Sequence, residues 1–475
     1  MRESAKRAGN LEERNESGPV HAPVRSGSGK ARPGAIDMAA FDLAFRRIAE
    51  GAPLVMALGG AGTGKTTFLH ELRRRRERRQ VFLAPTGVAA LQLGGQTIHS
   101  FFGVPPRILN PDEIKPHRRT RKLLGKLERL VIDEVSMLRC DLLDAIDRCL
   151  RLARGRPDPF GGVQVVLVGD FLQLPPVVPQ TEREVLARFG YAGPYAFDAK
   201  VLGETRISRV PFALVHRQTE AAFVDQLASI RRGERVGETI AALNAACCRA
   251  HRRERLPVVL APTNARVDAY NVRGLSAIGA PERVYAGETK GEFDLAKDRL
   301  PVPERLVLKV GARVMAVRND QARRFVNGSV GVVMRLDSDC AGVAFDGGDE
   351  VEIERTSWER IRYAWNETER RIEAKVIGSY AQLPLVHAWA ATVHKAQGLT
   401  LDDVRIDFDA GAFAPGQAYV ALSRARSRDG LSLARPLRAS DVRVDRRVAA
   451  FMAAFELDAA QARPGMPDAL RERAW

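Results

Sequence analysis

Along the chain, apolar residues fall into short runs separated by polar or glycine-containing turns. From Phe41 a helical period leads into Pro53-Leu54-Val55-Met56-Ala57-Leu58, which reads as a buried strand. A glycine-rich turn follows, then Thr66 to Leu72 with helical spacing. Val81 to Ala84, Leu130 to Ile132 and Gln164 to Val168 are further strand-like runs. Strands alternating with helices predict a parallel sheet that takes ligands at the carboxyl ends of its strands. A second set begins near Phe212, with helices over 220–232, 237–249 and 264–278 and a strand over 257–260. The period then switches from helical to alternating over 306–310, 314–317, 329–335, 342–345 and 350–354. Turns such as Asn327-Gly328 and Asp346-Gly347-Gly348 separate these strands, predicting a small antiparallel barrel or sandwich. Alternation of helix and strand returns after Leu385, so the barrel is an insertion in the second α/β unit.

These shifts set the expected boundaries: a tail over 1–37, a first α/β domain over 38–205, a second over 206–300 and 386–455, the inserted β-barrel over 301–385, and a C-terminal tail over 456–475. The first 37 residues are polar, without periodicity, and are expected to be disordered. Ser26-Gly27-Ser28-Gly29-Lys30 has no strand before it and no helix after it, and reads as linker.

Charge narrows the partners. A formal net charge of +16 and a pI near 10.0 point to a polyanion, most simply nucleic acid, although an arginine-rich surface alone has the same balance. Arg73 to Arg79, rich in arginine, reads as a solvated helix C-terminus whose charge complements the dipole. Cys140, Cys149, Cys247, Cys248 and Cys340 show no metal-ligand spacing and read as reduced thiols, mostly in cores. No apolar run approaches a membrane span. The N-terminus lacks an apolar signal core, and Glu3, Glu12, Glu13 and Glu16 argue against a mitochondrial presequence. The expected location is cytoplasmic, nucleoid-associated in a bacterium.

The chemistry centres on Gly59-Gly60-Ala61-Gly62-Thr63-Gly64-Lys65-Thr66, a full P-loop pattern between a strand and a helix. Its glycines let backbone N–H groups close around phosphate oxygens. Lys65 is expected at the β/γ-phosphates and the Thr66 hydroxyl on Mg²⁺. Asp133 and Glu134 end an apolar strand that is expected beside the P-loop strand. Asp133 is thereby assigned to Mg²⁺ through water and Glu134 to the attacking water as general base. Gln173, in Gly169-Asp170-Phe171-Leu172-Gln173-Leu174-Pro175-Pro176, is assigned to the γ-phosphate and that water. Arg217 and Arg424 are candidate arginine fingers, a role that contributes roughly 10³–10⁵ in rate.

Taken in order, these segments resemble the PIF-type DNA helicases, in the PIF/RecD-like, 5′-to-3′ branch of helicase superfamily 1. Gly59 to Thr67 is similar to motif I, Ala84 to Ala90 to motif Ia, and Thr97 to Gly103 to the next single-strand contact. Asp133 to Leu138 resembles motif II, Gly169 to Pro176 motif III, His216-Arg217-Gln218 motif IV, Ala391 to Gly398 motif V and Ala418 to Arg424 motif VI. The resemblance implies two RecA-like domains with ATP between them and single-stranded DNA across both. It implies Arg217 and Arg424 facing the γ-phosphate, Thr67 and Gly398 among the nucleotide contacts, and Thr86, His99, His394 and Lys395 near DNA. The inserted barrel looks like the family's domain 2B, of Src-homology-three type. Gln397-Gly398-Leu399-Thr400-Leu401-Asp402 looks like the PIF rather than the RecD form. One position departs from the family: Phe41 stands where a glutamine usually reads adenine, leaving Tyr270 or backbone groups near the P-loop as substitutes.

Phe101 and Phe102 are candidates for base stacking, at least one of them being core. The proline-rich, basic segment over 104–123 takes the place of the family's strand-separating 1B wedge, with a plain surface loop of equal weight. The implied activity is that of a motor, expected to be monomeric, acting on single-stranded and tailed duplex DNA, with replication or repair proteins as further partners. A DNA-stimulated translocase without unwinding is the alternative, and a P-loop kinase or signalling NTPase is a third class.

Overall fold

The computed structural model describes residues 38–461 apart from 76–77, 111–112, 219, 249–255, 294–299, 321, 323, 346–347, 349 and 410. The expected disordered tail over 1–37, the turn at 346–347 and residues 462–475 lie outside the described residues.

Six parallel strands form the first sheet: β1 (Leu54–Gly59), β2 (Gln80–Ala84), β3 (Gln96–Thr97), β4 (Arg129–Ile132), β5 (Gln164–Gly169) and β6 (Ile207–Phe212). Their order is β3-β2-β4-β5-β1-β6. Leu54, Met56 and Leu58 enter the core on one face, and Val55 and Ala57 pack with Phe41 and Phe68 on the other. A strand covered on both faces reads as a continuous apolar run, which is why β1 is legible in sequence. Two expectations need correction. The strand bearing Asp133 and Glu134 is not beside the P-loop strand, because β5 lies between β4 and β1. The carboxylates still reach the P-loop, since all parallel strands end at one edge. Secondly, β6, assigned to a second domain starting at 206, is the edge strand of the first sheet.

The second sheet starts with β7 (Val258–Ala261). The inserted region comprises β8 (Glu282–Ala286), β9 (Glu288–Gly291), β10 (Arg305–Lys309), β11 (Arg313–Ala316), β12 (Val330–Leu336), β13 (Cys340–Phe345), β14 (Glu350–Glu354), β15 (Thr356–Asn366), β16 (Arg371–Gln382) and β17 (Leu385–His387). Then β18 (Ala390–Thr392), β19 (Val404–Ile406) and β20 (Leu431–Leu433) complete a parallel sheet of order β18-β7-β19-β20.

The insertion is an antiparallel sheet, β14-β13-β12-β11-β17, sharing a core of Tyr285, Leu306, Leu308, Val314 and Val343 with the pair β8-β10. Its strands begin at β8, before the expected boundary at 301. A long hairpin, β15-β16, was not anticipated. A register shift between Arg360 and Ile361 breaks its alternation, which hides it from a period-two search. It reaches the first sheet. There the Tyr363 hydroxyl accepts the Phe82 N–H at 3.2 Å, and its ring meets Phe101 edge-on at 5.9 Å.

The chain's last described helix, Arg446–Gln461, runs past the expected boundary at 455 and returns to the first domain. Val448, Met452 and Phe455 join the core of the first sheet, and Phe451 stacks on Phe197 at 4.4 Å. The segment over 104–123 is not a plain surface loop. Its end begins the helix Arg118–Lys126, which buries Leu123 and Leu124, while the Leu109 N–H is held by Asp141 at 2.8 Å.

Candidate functional site

The P-loop leaves β1 at Gly59 and enters the helix Lys65–Arg74 through Gly64, at φ 89°. Gly62, at φ 76°, takes a second left-handed turn that no Cβ-bearing residue adopts without strain. Lys65 is folded onto its own loop, with Nζ donating to the carbonyls of Gly59 at 2.7 Å and Gly60 at 2.6 Å. Burial lowers its pKa, against the pull of Asp170, Glu134 and Asp133. The Thr63 hydroxyl donates to the Gly60 carbonyl at 2.9 Å, and Thr66 and Thr67 are exposed at the helix start.

Beyond β4, Glu134 adopts φ 52° and ψ 48°, a left-handed conformation that costs a non-glycine residue of order 1 kcal/mol and recurs at functional sites. Asp133 Oδ1 accepts the Glu134 N–H at 2.8 Å. Burial and the neighbouring Glu134 charge push Asp133 up to about 7. Burial also raises Glu134, opposed by Lys65, Arg424 and a hydrogen bond from Gln397.

Gln173 is buried after β5, with Nε2 donating to Asp170 Oδ2 at 3.3 Å. From the turn after β18, Gln397 Nε2 donates to Glu134 Oε2 at 2.9 Å and to Gln173 Oε1 at 3.1 Å. Sequence reading missed Gln397 as a site residue although it lies inside the motif V match. Its signal was its place two residues after Lys395, in the turn that also carries Gly398. The apolar contact between the units is equally direct, because Ala61 and Leu174 sit in the core of the second sheet.

The two arginines differ. Arg217 lies against the P-loop: a Cβ on Gly62 would fall 2.6 Å from Arg217 Cβ, and the His216 N–H donates to the Gly62 carbonyl at 2.8 Å. Its guanidinium donates to the carbonyls of Ser423 at 3.2 Å and Gly398 at 3.4 Å. Arg424 is 1% exposed and turned into its own unit, donating to the carbonyls of Val420, Leu399 and Ala396 and to Ser423 Oγ. Burial, then the charge of Arg217, pulls its pKa down to about 9. Arg217 thus lies beside the P-loop with its guanidinium on carbonyls of the second unit, while Arg424 is drawn back onto carbonyls of its own unit.

Of the residues expected near DNA, Thr86 follows β2 and caps the helix Gly87–Leu93, its hydroxyl accepting the Ala89 N–H at 3.2 Å. His394 and Lys395 follow β18, with Lys395 exposed and burial lowering the pKa of His394. His99 is half-buried in the short helix Ile98–Phe102. Phe101 and Phe102 are each 1% exposed in the core, so neither stacks on a base. Phe41 is also core: its ring packs among Phe45, Phe68 and Phe212 and lies under Gly64. Tyr270 is committed to Asp407 Oδ2 at 2.7 Å.

Residues 38–239 match the PIF1-like helicase family and residues 297–336 match the Pif1 helicase 2B domain. The chain is 34% identical over 388 residues to the ATP-dependent DNA helicase Pif1 of Bdellovibrio bacteriovorus, covering 80% of this chain and 83% of that protein. It is 35% identical to human ATP-dependent DNA helicase PIF1, over 78% of this chain and 57% of the longer relative. The chain belongs to the PIF1-like helicase family. Crystal structures of a Bacteroides Pif1 carry the same fold. The complex with ADP-AlF4 has a TM-score of 0.81 at 34% identity, and the complex with single-stranded DNA has 0.63 at 35%. Each covers 88% of this chain and 97% of the Bacteroides chain. As expected for the family, this member is α/β with an ATP-hydrolysing P-loop sheet. Among the described residues no helix is long and apolar enough to cross a membrane.

Proposed function

We propose that this chain is an ATP-driven DNA helicase that moves 5′ to 3′ along single-stranded DNA and separates the duplex ahead of it. The observation that carries the reading is Gln397, which comes from the second sheet and bonds both Glu134 and Gln173 of the first. The catalytic groups of one unit are therefore oriented by the other, as a motor driven by cleft closure requires.

In the proposed reaction, water attacks the γ-phosphorus of ATP while Glu134 takes its proton. The bond from that phosphorus to the bridging oxygen breaks, and its electron pair leaves on the β-phosphate of ADP. A raised Glu134 pKa suits a general base. Gln173 orients the water, and Lys65 and Arg217 compensate the charge on the phosphates. Arg424 reaches the γ-phosphate by leaving its carbonyl partners as the cleft closes.

Asp133 and Thr66 are the hard-oxygen donors for Mg²⁺. The site fits the ion: Asp133 and the Thr66 hydroxyl offer hard oxygen donors, and the charge of Lys65 does not cancel the burial and the Glu134 charge that raise Asp133 to about 7. Bound Mg²⁺ would neutralise the phosphate oxygens, and Asp133 and Thr66 would orient it.

Thr86, His99, His394 and Lys395 are proposed to line the DNA path, near the carboxyl ends of both sheets. The antiparallel insertion is proposed as the family's domain 2B, of Src-homology-three type, and the segment over 104–123 as its strand-separating wedge. The Bacteroides relative solved with single-stranded DNA supports the choice of ligand. The decisive experiment compares duplexes with a 5′ or a 3′ tail in the presence of ATP. Unwinding of the 5′-tailed substrate alone is expected; equal unwinding of both, or of neither, sinks the reading.

A further inference from the structure

Arg231 lies in the last turn of the helix Ala221–Arg232, where with Arg232 it complements the helix dipole ahead of Gly233. The fold gives it another setting. It is 8% exposed, and its guanidinium faces Asp170, which follows β5 in the other unit. Arg231 Nη2 donates to Asp170 Oδ1 at 2.8 Å and Nε to Asp170 Oδ2 at 3.1 Å, a two-pronged charge-assisted contact. Burial opposes the charge of Arg231, and the attraction and hydrogen bonds of Asp170 overcome that and hold it ionised.

Asp170 has further partners. Oδ1 accepts the Leu172 N–H at 3.2 Å and Oδ2 accepts Gln173 Nε2 at 3.3 Å. Gln173 is then bonded by Gln397, which also bonds Glu134. A continuous polar chain therefore runs from Arg231 through Asp170, Gln173 and Gln397 to Glu134, crossing between the units three times. The same face of the second unit grips the P-loop. A Cβ at Gly60 would meet the Tyr419 hydroxyl at 3.0 Å and Arg231 Nε at 3.7 Å, and that hydroxyl accepts the Ala61 N–H at 2.7 Å.

A buried ion pair adds little net stability over well-packed apolar residues, because both charges lose their water. What it supplies here is orientation: Asp170 is held from two sides, and Gln173 takes its direction from Asp170. We propose that Arg231 is a positioning residue for ATP hydrolysis, fixing Asp170 so that Gln173 points at the attacking water only when the second unit is docked. Without Arg231, the Asp170 charge is left facing Lys65 and Gln173 loses its fixed acceptor. The proposal rests on the ATP-hydrolysis reading above.

The test uses the full chain as wild type, Arg231→Ala, Arg231→Lys, Gln173→Ala and the double Arg231→Ala/Gln173→Ala. ATPase kcat and KM are measured with and without single-stranded DNA, beside the Kd for a fluorescent ATP analogue. Arg231→Ala is expected to lower the DNA-stimulated kcat by about 10²-fold, the scale of a small misplacement of a catalytic group. The analogue's Kd is expected to stay within a few-fold, and Arg231→Lys to recover part of kcat. The double variant is expected to be no slower than Gln173→Ala, because both changes break one chain. Multiplicative losses in the double variant, or a wild-type kcat in Arg231→Ala, overturn the proposal. If Arg231→Ala does not fold, Arg231→Lys decides: a wild-type kcat there overturns it, and a lowered kcat with unchanged Kd supports it. Absence of DNA-stimulated ATPase in the wild-type chain would instead remove the reading on which the proposal rests.

Discussion

Gln397 donates one amide to Glu134 Oε2 at 2.9 Å and to Gln173 Oε1 at 3.1 Å, so a residue of the turn after β18 orients the proposed base after β4. Replacing it with alanine removes both contacts without touching the P-loop. The expected result for Gln397→Ala is a fall in kcat of roughly 10–10²-fold with little change in nucleotide affinity. A loss confined to KM, seen in steady-state ATPase assays, would refute this role.

Glu134 holds a left-handed backbone and a raised pKa beside Lys65. Glu134→Gln keeps the shape and removes the proposed base. Turnover is expected to fall by about 10²–10⁴-fold while nucleotide still binds. A variant that hydrolyses ATP at the wild-type rate would transfer the base to another residue.

Asp133 is pushed up to about 7 by burial and by Glu134. A carboxyl whose folded pKa exceeds its unfolded value favours folding fully below the unfolded pKa, and the advantage is lost as pH rises through the folded value. Asp133→Asn, which cannot ionise, is therefore expected to gain stability relative to wild type as pH rises from about 4 to 7. The gain should level off above pH 7, at no more than a few kcal/mol. Urea melts at pH 5 and pH 8 without nucleotide check this. In the same window Mg²⁺–nucleotide binding to the wild type should release a proton. Calorimetry in buffers of different ionisation enthalpy reads that release, and equal apparent enthalpies would exclude it.

Gly62 is held at φ 76°, with Arg217 Cβ 2.6 Å from where its own Cβ would stand. Gly62→Ala combines backbone strain with that collision, so Arg217 and the loop must separate. ATP affinity and turnover are both expected to drop, by at least tenfold, for a combined cost of order 1–3 kcal/mol. An unchanged Kd for the nucleotide would show that the loop relaxes without loss.

Tyr363 docks the β15-β16 hairpin on the first sheet through the Phe82 N–H and the edge of Phe101. Tyr363→Phe leaves the Phe82 N–H without that acceptor, an expected loss of about 1–3 kcal/mol. Tyr363→Ala also opens a cavity and is expected to cost about 3–5 kcal/mol, the range for removing a buried aromatic ring. Denaturant melts give both values, and protease cleavage within the hairpin should rise in the same order.

Local pattern carried the parts of this protein that depend on neighbours in the chain. The P-loop, the carboxylates after β4 and Gln173 after β5 were legible because a buried strand is an apolar run and its ligand groups follow at once. Elements whose identity depends on distant partners were not. β6 looked like the start of a second domain, and only its pairing with β1 assigns it to the first. Phe41 and Phe102 are aromatic in either setting, and only packing makes them core. The hairpin's alternation is broken by the register shift at Arg360 and Ile361.

The amino-acid sequence by itself determined the P-loop between a strand and a helix and named the groups expected around a triphosphate. The tertiary structure alone decided who orients those groups. Arg231 and Gln397 lie 61 and 224 residues from the partners they hold, Asp170 and Gln173. Side-chain chemistry and chain spacing encode no distance at that separation; only the docking of two sheets, through Ala61 and Leu174 in a shared core, brings them within a hydrogen bond.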